Sequence, residues 1–304
     1  MDISTLVLIV LGLILFETIT SIDNAIINAE VLSTMSQRAR RWFLLWGILI
    51  AVFVLRGILP WAIVWAVNPS LGPVGAFSAS LSSDPKVIAS IEASSPILLS
   101  GGGIFLIFLF FHWLFLEPKQ FGLRGERFIL KQGVWFYAVV SIILATVVWF
   151  ALKINPLMAF GAVVGSTAFF IVHGFKENAQ KTEEGLLSSN KSDVSKIFYL
   201  EVIDATFSID GVVGAFAFTL IVPLILIGNG IGAIVVRQMT VSNIDRIKKY
   251  VFLKNGAMYS ILFLGMIMLL DSFGFHIPQW FSPVVTALVV GYFFLKSRRL
   301  LEQS

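Results

Sequence analysis

F-E-T-I-T-S-I-D-N-A-I-I-N-A, Phe16 to Ala29, sets two carboxylates and two carboxamides inside an otherwise apolar run from Leu6 to Leu32. A run of this length crosses a bilayer. An acid in the hydrocarbon costs roughly 2.5–3.5 kcal/mol by insertion scales, so something must offset the burial of Glu17 and Asp23. The remainder of the chain agrees with a membrane setting. Of its 304 residues, 57% are hydrophobic and 13% charged, and mean hydropathy is +0.90; a soluble domain carries about twice that charge. There are no cysteines, which excludes disulfides, thiolate metal sites and cysteine nucleophiles. The net charge of +4 does not point to nucleic acid, because the basic residues are scattered through short loops. The N-terminal M-D-I-S-T lacks a basic n-region, so the first apolar run is expected to be a retained helix and not a cleaved signal.

Windows of about 20 apolar residues predict an all-α polytopic protein with nine spans, near 6–31, 42–67, 96–116, 133–152, 157–173, 198–219, 222–239, 255–271 and 282–296. Counted by loop, one side holds Arg38, Arg40 and Arg41; Lys119, Arg124, Arg127 and Lys131; Lys176, Lys181, Lys191 and Lys196; Arg237, Arg246, Lys248, Lys249 and Lys254; and Lys296, Arg298 and Arg299. The other side holds only Lys86 and Lys153, while Arg56 lies within the second span. Positive charge marks the cytoplasmic side, so the N-terminus is expected outside and the C-terminus in the cytoplasm.

The opening stretch has a second copy. E-T-I-T-S-I-D-N-A, Glu17 to Ala25, aligns with D-A-T-F-S-I-D-G-V, Asp204 to Val212: an acid, five residues, a second acid, and a shared Ser-Ile-Asp. The copies fall in the first and sixth spans, which cross in opposite directions. Inverted acid-bearing helices are the pattern of a transporter whose site lies near the midplane between pseudo-symmetric halves. The expected organisation is one integral membrane domain over 1–304, with a three-helix repeat in 1–117 (spans 1–3), linking helices in 133–173, its inverted copy in 198–271 (spans 6–8), and a terminal helix and tail in 282–304.

At about 100° per residue, Glu17, Ser21, Asn24 and Asn28 share one helical stripe, as do Glu201, Asp204, Ser208 and Gly211. Asp23 and Asp210 lie about 120° away. Either the helices unwind at Asn24 and Gly211 or there are two adjacent sites; unwinding is favoured because Asp-Asn and Asp-Gly are poor helix pairs. Carboxylates, carboxamides and hydroxyls form a hard oxygen set that suits manganese, magnesium or calcium. Carboxylates crowded in low dielectric also leave room for proton exchange.

These residues, with S-G-G-G-I-F-L at 100–106, resemble the paired signatures of the TerC tellurium-resistance integral membrane proteins, within the LysE-type exporter superfamily. The resemblance implies a bacterial inner-membrane protein with inverted three-helix repeats that exports a divalent metal, chiefly manganese. Carried over by motif, the metal-site positions are Glu17, Asp23 and Asn24 in the first copy and Glu201, Asp204 and Asp210 in the second. Gly211 stands where many relatives have Ser.

Arg56, a lone cation deep in a span, is expected to pair with one of the acids in a structural or charge-coupling role. His112, His173 and His276 are read as packing or span-end residues, Gly101 to Gly103 as sites of close helix approach, and 174–185 as a solvated mixed-charge connector. No P-loop appears, so export would draw on ion gradients, with counter-transport of protons the natural candidate. No tightly bound cofactor is expected. Two other classes remain open: an intramembrane aspartyl hydrolase, in which two membrane aspartates share a proton, although the Gly-x-Gly-Asp signature is missing; and an accessory protein that supplies metal to secreted proteins or works beside the secretion machinery.

Overall fold

A computed structural model describes residues 2–47, 72–81, 85–187, 192–242 and 247–303, with isolated positions 58, 61, 62, 65, 66 and 69. Among the described residues there is no strand. In lipid every backbone polar group must be satisfied within the segment, which favours continuous helices. The helices are α1 (Ile3–Thr20), α2 (Ile22–Ser33), α3 (Gln37–Trp42, running into a π-helical turn, Phe43–Gly47), α4 (Gly72–Leu81), α5 (Pro85–Leu116), α6 (Glu126–Leu130), α7 (Phe136–Leu152), α8 (Pro156–Leu187), α9 (Asp193–Ala215), α10 (Val222–Ser242), α11 (Leu253–Ser272) and α12 (Phe281–Gln303).

Among the described residues, six segments are long and apolar enough to cross a membrane: Ile3–Thr20, Ser94–Leu116, Gly133–Leu152, Pro156–Asn178, Val222–Met239 and Leu253–Ser272. The expected span at 282–296 is helical in α12, and that at 198–219 is helical in α9 as far as Ala215, but α9 carries Lys196, Glu201, Asp204 and Asp210, and α12 carries Lys296, Arg298 and Arg299 in its last turns. The expected span at 42–67, with Arg56, lies almost wholly outside the described residues. The connector expected at 174–185 is instead a continuation of α8 as far as Leu187, which places Lys176 on a helix with 8% of its surface exposed.

The central helix is α5. Residues Ser94–Leu116 are 78% buried by the rest of the protein, whereas Gly133–Leu152, mostly α7, is 17% buried and peripheral. Glycines set the crossings of α5. A Cβ on Gly161 would stand 2.5 Å from the Ile97 carbonyl oxygen, and one on Gly165 would overlap the Gly101 carbonyl, so α5 and α8 run parallel in backbone contact. Close approach at small residues drives helix association in lipid. Gly103 and Gly265 meet reciprocally, each hypothetical Cβ lying 2.9–3.1 Å from the other's carbonyl oxygen. We predict that Gly165→Ala lowers stability by about 1–3 kcal/mol through overpacking. Gly174→Ala, one turn from the described end of the same apolar segment with nothing within 4 Å, should be neutral or slightly stabilising; thermal unfolding in detergent separates the two.

Contacts fix the helix directions. Leu13 and Glu17 of α1 meet Gly228 and Gly232 of α10, while Gly12 meets Pro283 at the start of α12 and Ile19 shares a buried cluster with Val290 farther along it, so these three run parallel. Phe16 meets Gly214 and Glu17 meets Gly211, so α9 is antiparallel to α1. Phe252 N–H bonds to Ser297 Oγ at 2.9 Å while Gly256 meets Phe293, making α11 antiparallel to α12; Gly103 with Leu269 and Gly265 with Ile107 make it antiparallel to α5. One face thus collects the ends of α2, α5, α8, α10 and α12 and the starts of α9 and α11. It bears Arg40, Arg41, Lys119, Lys196, Lys248, Lys254 and Arg298, whereas Lys153 stands at the opposite face.

The first acid-bearing helix breaks at Ser21, where φ is −91° and ψ is 3°, and resumes at Ile22. That is three residues before the expected unwinding at Asn24. No break occurs at Gly211, and α9 continues to Ala215. The missing side chain of Gly211 serves close packing instead: a Cβ there would sit 2.6 Å from Glu17 Oε2.

Candidate functional site

Helices α1 and α2 lie antiparallel against α9, so the two acid motifs face each other head to tail. Glu17, completely buried, rests on Gly211 and against Gly232 of α10. Its Oε1 accepts a hydrogen bond from Ser21 Oγ at 2.9 Å. Seven residues on, Asn24 Nδ2 donates to Asp204 Oδ1; both residues are buried. Ser208 Oγ, also buried, donates to the Asp204 carbonyl at 2.6 Å. The Oδ1 atoms of Asn24 and Asn28 have no hydrogen-bond partner among the described residues. Asn229, on α10 near Gly232, is completely buried, and both its amide atoms lack hydrogen-bond partners among the described residues. Sequence reading did not single it out; its signal was one carboxamide among the glycines of I-G-N-G-I-G.

The other expected site residues lie apart from this pairing. Asp210 is ion-paired with Lys176 of α8. Glu201 stands 3.8 Å from the Arg237 guanidinium, which also lies 4.2 Å over the Phe43 ring, and Gly47 leaves room beside both charges. Asp23 is on α2, but its side chain is outside the described set, as is Arg56. Two of these acids are paired with cations that the sequence reading assigned to loops, Lys176 and Arg237; the expected pairing of Arg56 lies outside the described residues. Among the described residues no group of three or more His, Cys, Asp or Glu side chains converges to hold a metal ion.

A cavity of about 510 Å³ opens at the basic face, between α1, α5, α8, α9 and α11, and is lined by Thr20, His112, Glu117, His173, Lys176, Asp210 and Lys254 among others. His112 and His173, expected to be unrelated packing residues, sit against each other with ring centroids 3.7 Å apart. Glu117 lies 3.4 Å from His112 and 2.9 Å from Lys254. Burial pushes the Glu117 carboxyl up, but hydrogen bonding by His112 and the charge of Lys254 outweigh it and hold the group well below the usual carboxylate range. A carboxylate with a depressed folded-state pKa contributes stability that is present above its unfolded value and lost as pH falls. The melting temperature in detergent should therefore fall as pH drops below about 4.5, and Glu117→Gln should flatten that dependence.

The sequence profile of a family described as a protein of unknown function (DUF475) matches residues 22–301. The chain belongs to that family. No curated protein and no solved structure matches it. The matched segment contains Asn24, Asp204 and Asp210 but begins after Glu17.

Proposed function

We propose that this protein is a secondary transporter that exports a divalent metal cation, manganese first among candidates, across a bacterial inner membrane through the buried site of Glu17, Asn24 and Asp204. The observation that carries the proposal is the antiparallel pairing of the two motifs. Aligning the copies matches Glu17 with Asp204 and Asn24 with Gly211. Exchanging the copies then turns the Glu17–Gly211 contact into the Asn24–Asp204 contact, and both are present. The matching serines, Ser21 and Ser208, each hydrogen-bond four residues back. An inverted repeat with a midplane site produces this reciprocity, and the Gly103–Gly265 contact supports an axis between spans three and eight.

The nine-span topology gains support from direction. Helices α1 and α5 run the same way, which requires an odd number of crossings between them, and the span expected at 42–67 supplies one. The concentration of Lys and Arg at one face favours a cytoplasmic location for that face, with the N-terminus outside.

Glu17 and Asp204 stand about 10 Å apart along the crossing, two helical turns, so with the buried carboxamides they offer two successive positions of hard oxygen donors, and a transported ion must be held weakly enough at each to leave. The resemblance to TerC signatures points the same way, and protons are the proposed counter-ion. A hydrolase dyad is not favoured: Asp204 is engaged by Asn24 and Asp210 by Lys176, whereas a dyad needs two carboxylates sharing a proton. An accessory role in supplying metal to secreted proteins uses the same site. Manganese content in a manganese-sensitive bacterial strain tests the reading: the wild-type chain should lower it, and unchanged content at verified membrane expression would reject manganese export.

A further inference from the structure

We infer that Phe16 and Phe218 form the outer gate of the acid site, in a protein caught with that site closed toward the opposite face and approached from the basic face. This rests on the transporter reading but not on the identity of the cargo.

The cavity at the basic face reaches Thr20 and Asp210. Thr20 is one helical turn from Glu17, and Asp210 adjoins Gly211, on which Glu17 rests. A second cavity, of about 460 Å³, lies at the opposite end of the same three helices, α5, α9 and α11, and is lined by Ser95, Phe218, Thr219, Asp271 and Gln279 among others. The two cavities therefore approach one stretch of α1 and α9 from opposite ends.

What separates the second cavity from Glu17 is aromatic. Phe16, the residue before Glu17, is completely buried, and Phe218, a wall of the second cavity, is 1% exposed. Their ring centroids are 5.6 Å apart at 44°. Two glycines seat the pair. A Cβ on Gly214 would overlap the Phe16 ring, and one on Gly12 would lie 3.0 Å from Phe218 Cε1. The residues from Ala217 to Thr219 lie beyond the end of α9 at Ala215, so Phe218 is carried by a turn, where a small backbone change repositions a ring.

The absence of cysteine makes the test direct. Single-cysteine variants Thr20→Cys and Thr219→Cys are placed in membrane vesicles of each orientation and treated with a membrane-impermeant, cationic methanethiosulfonate. Thr20→Cys should react from the basic face and Thr219→Cys from the opposite face. Adding Phe16→Ala and Phe218→Ala should raise the reaction of Thr20→Cys from the opposite face at least tenfold. The gate is overturned if Thr20→Cys reacts equally from both faces with the rings intact. It is also overturned if the double alanine variant leaves the opposite-face rate unchanged while Thr219→Cys still reacts normally in the same background, which shows that the variant is folded. Should the double variant not fold, Phe218→Ala alone decides: a raised rate supports the gate and an unchanged rate overturns it. No metal is needed for this readout. A protein with a sided gate and no metal flux would therefore sink the metal reading alone, and flux without sidedness would sink the gate alone.

Discussion

Glu17→Gln and Asp204→Asn are each expected to abolish manganese export, with a loss of tenfold or more at matched membrane expression. Both changes keep the shape of the side chain and one accepting oxygen, while an amide NH2 replaces the other oxygen. Glu17 stays wedged on Gly211 with Ser21 beside it, and Asp204 stays within reach of Asn24. The ionisable group is removed with little change of packing, and an acid buried in a membrane is maintained for what it binds or balances. Gly211→Ala should give a similar loss by a different route, since its Cβ would stand 2.6 Å from Glu17 Oε2 and displace the carboxylate. Glu201→Gln should retain most export, because Glu201, one helical turn from Asp204, is held beside Arg237 and not by the Glu17–Gly211 and Asn24–Asp204 contacts. Intracellular manganese, measured with each variant quantified in the membrane fraction, checks the order. Equal activity of Glu17→Gln and wild type would remove Glu17 from the site.

Lys176→Met is expected to lower stability by about 3–5 kcal/mol, the usual consequence of leaving one member of a buried ion pair uncompensated. Lys176 and Asp210 are 10% and 14% exposed at their side chains. Asp210 Oδ1 has no hydrogen bond among the described residues, so losing Lys176 strips Asp210 of its ion-pair partner. The double variant Lys176→Met with Asp210→Asn should recover most of the loss, as replacement of a whole buried pair is often neutral. Thermal unfolding in detergent of the two single variants and the double variant gives the coupling energy. Additive losses would show that the two side chains do not act as a pair.

Much of the candidate site was legible because it is periodic. The stripe of Glu17, Ser21, Asn24 and Asn28 follows from helical spacing, and the structure buries Glu17, Asn24 and Asn28 as a stripe. In the second stripe Asp204 and Ser208 are buried, while Glu201 meets Arg237, a partner on a different helix that the spacing of one helix does not reveal. Lys176 and Arg237 escaped for a related reason. A basic residue near a span end reads as loop charge, and only the contacts of Lys176 on α8 and Arg237 on α10 show that each meets an acid of α9. The break came at Ser21 and not Asn24 because local propensity locates poor helix pairs without weighing tertiary contacts: Asn24 is fixed by Asp204, and Gly211 is occupied in receiving Glu17. The pairing of His112 with His173 joins two residues 61 positions apart, on helices whose parallel approach depends on the Gly101–Gly165 contact, which no local pattern announces.

The most direct test of the central claim is manganese flux by the purified protein in sealed liposomes, followed with an internal metal-sensitive dye under an imposed proton gradient, comparing the wild-type chain with Glu17→Gln and Asp204→Asn. The account predicts gradient-dependent manganese movement by the wild type and none above protein-free liposomes by either variant. Flux that is the same for all three proteins, or absent from the correctly folded wild type, would contradict it.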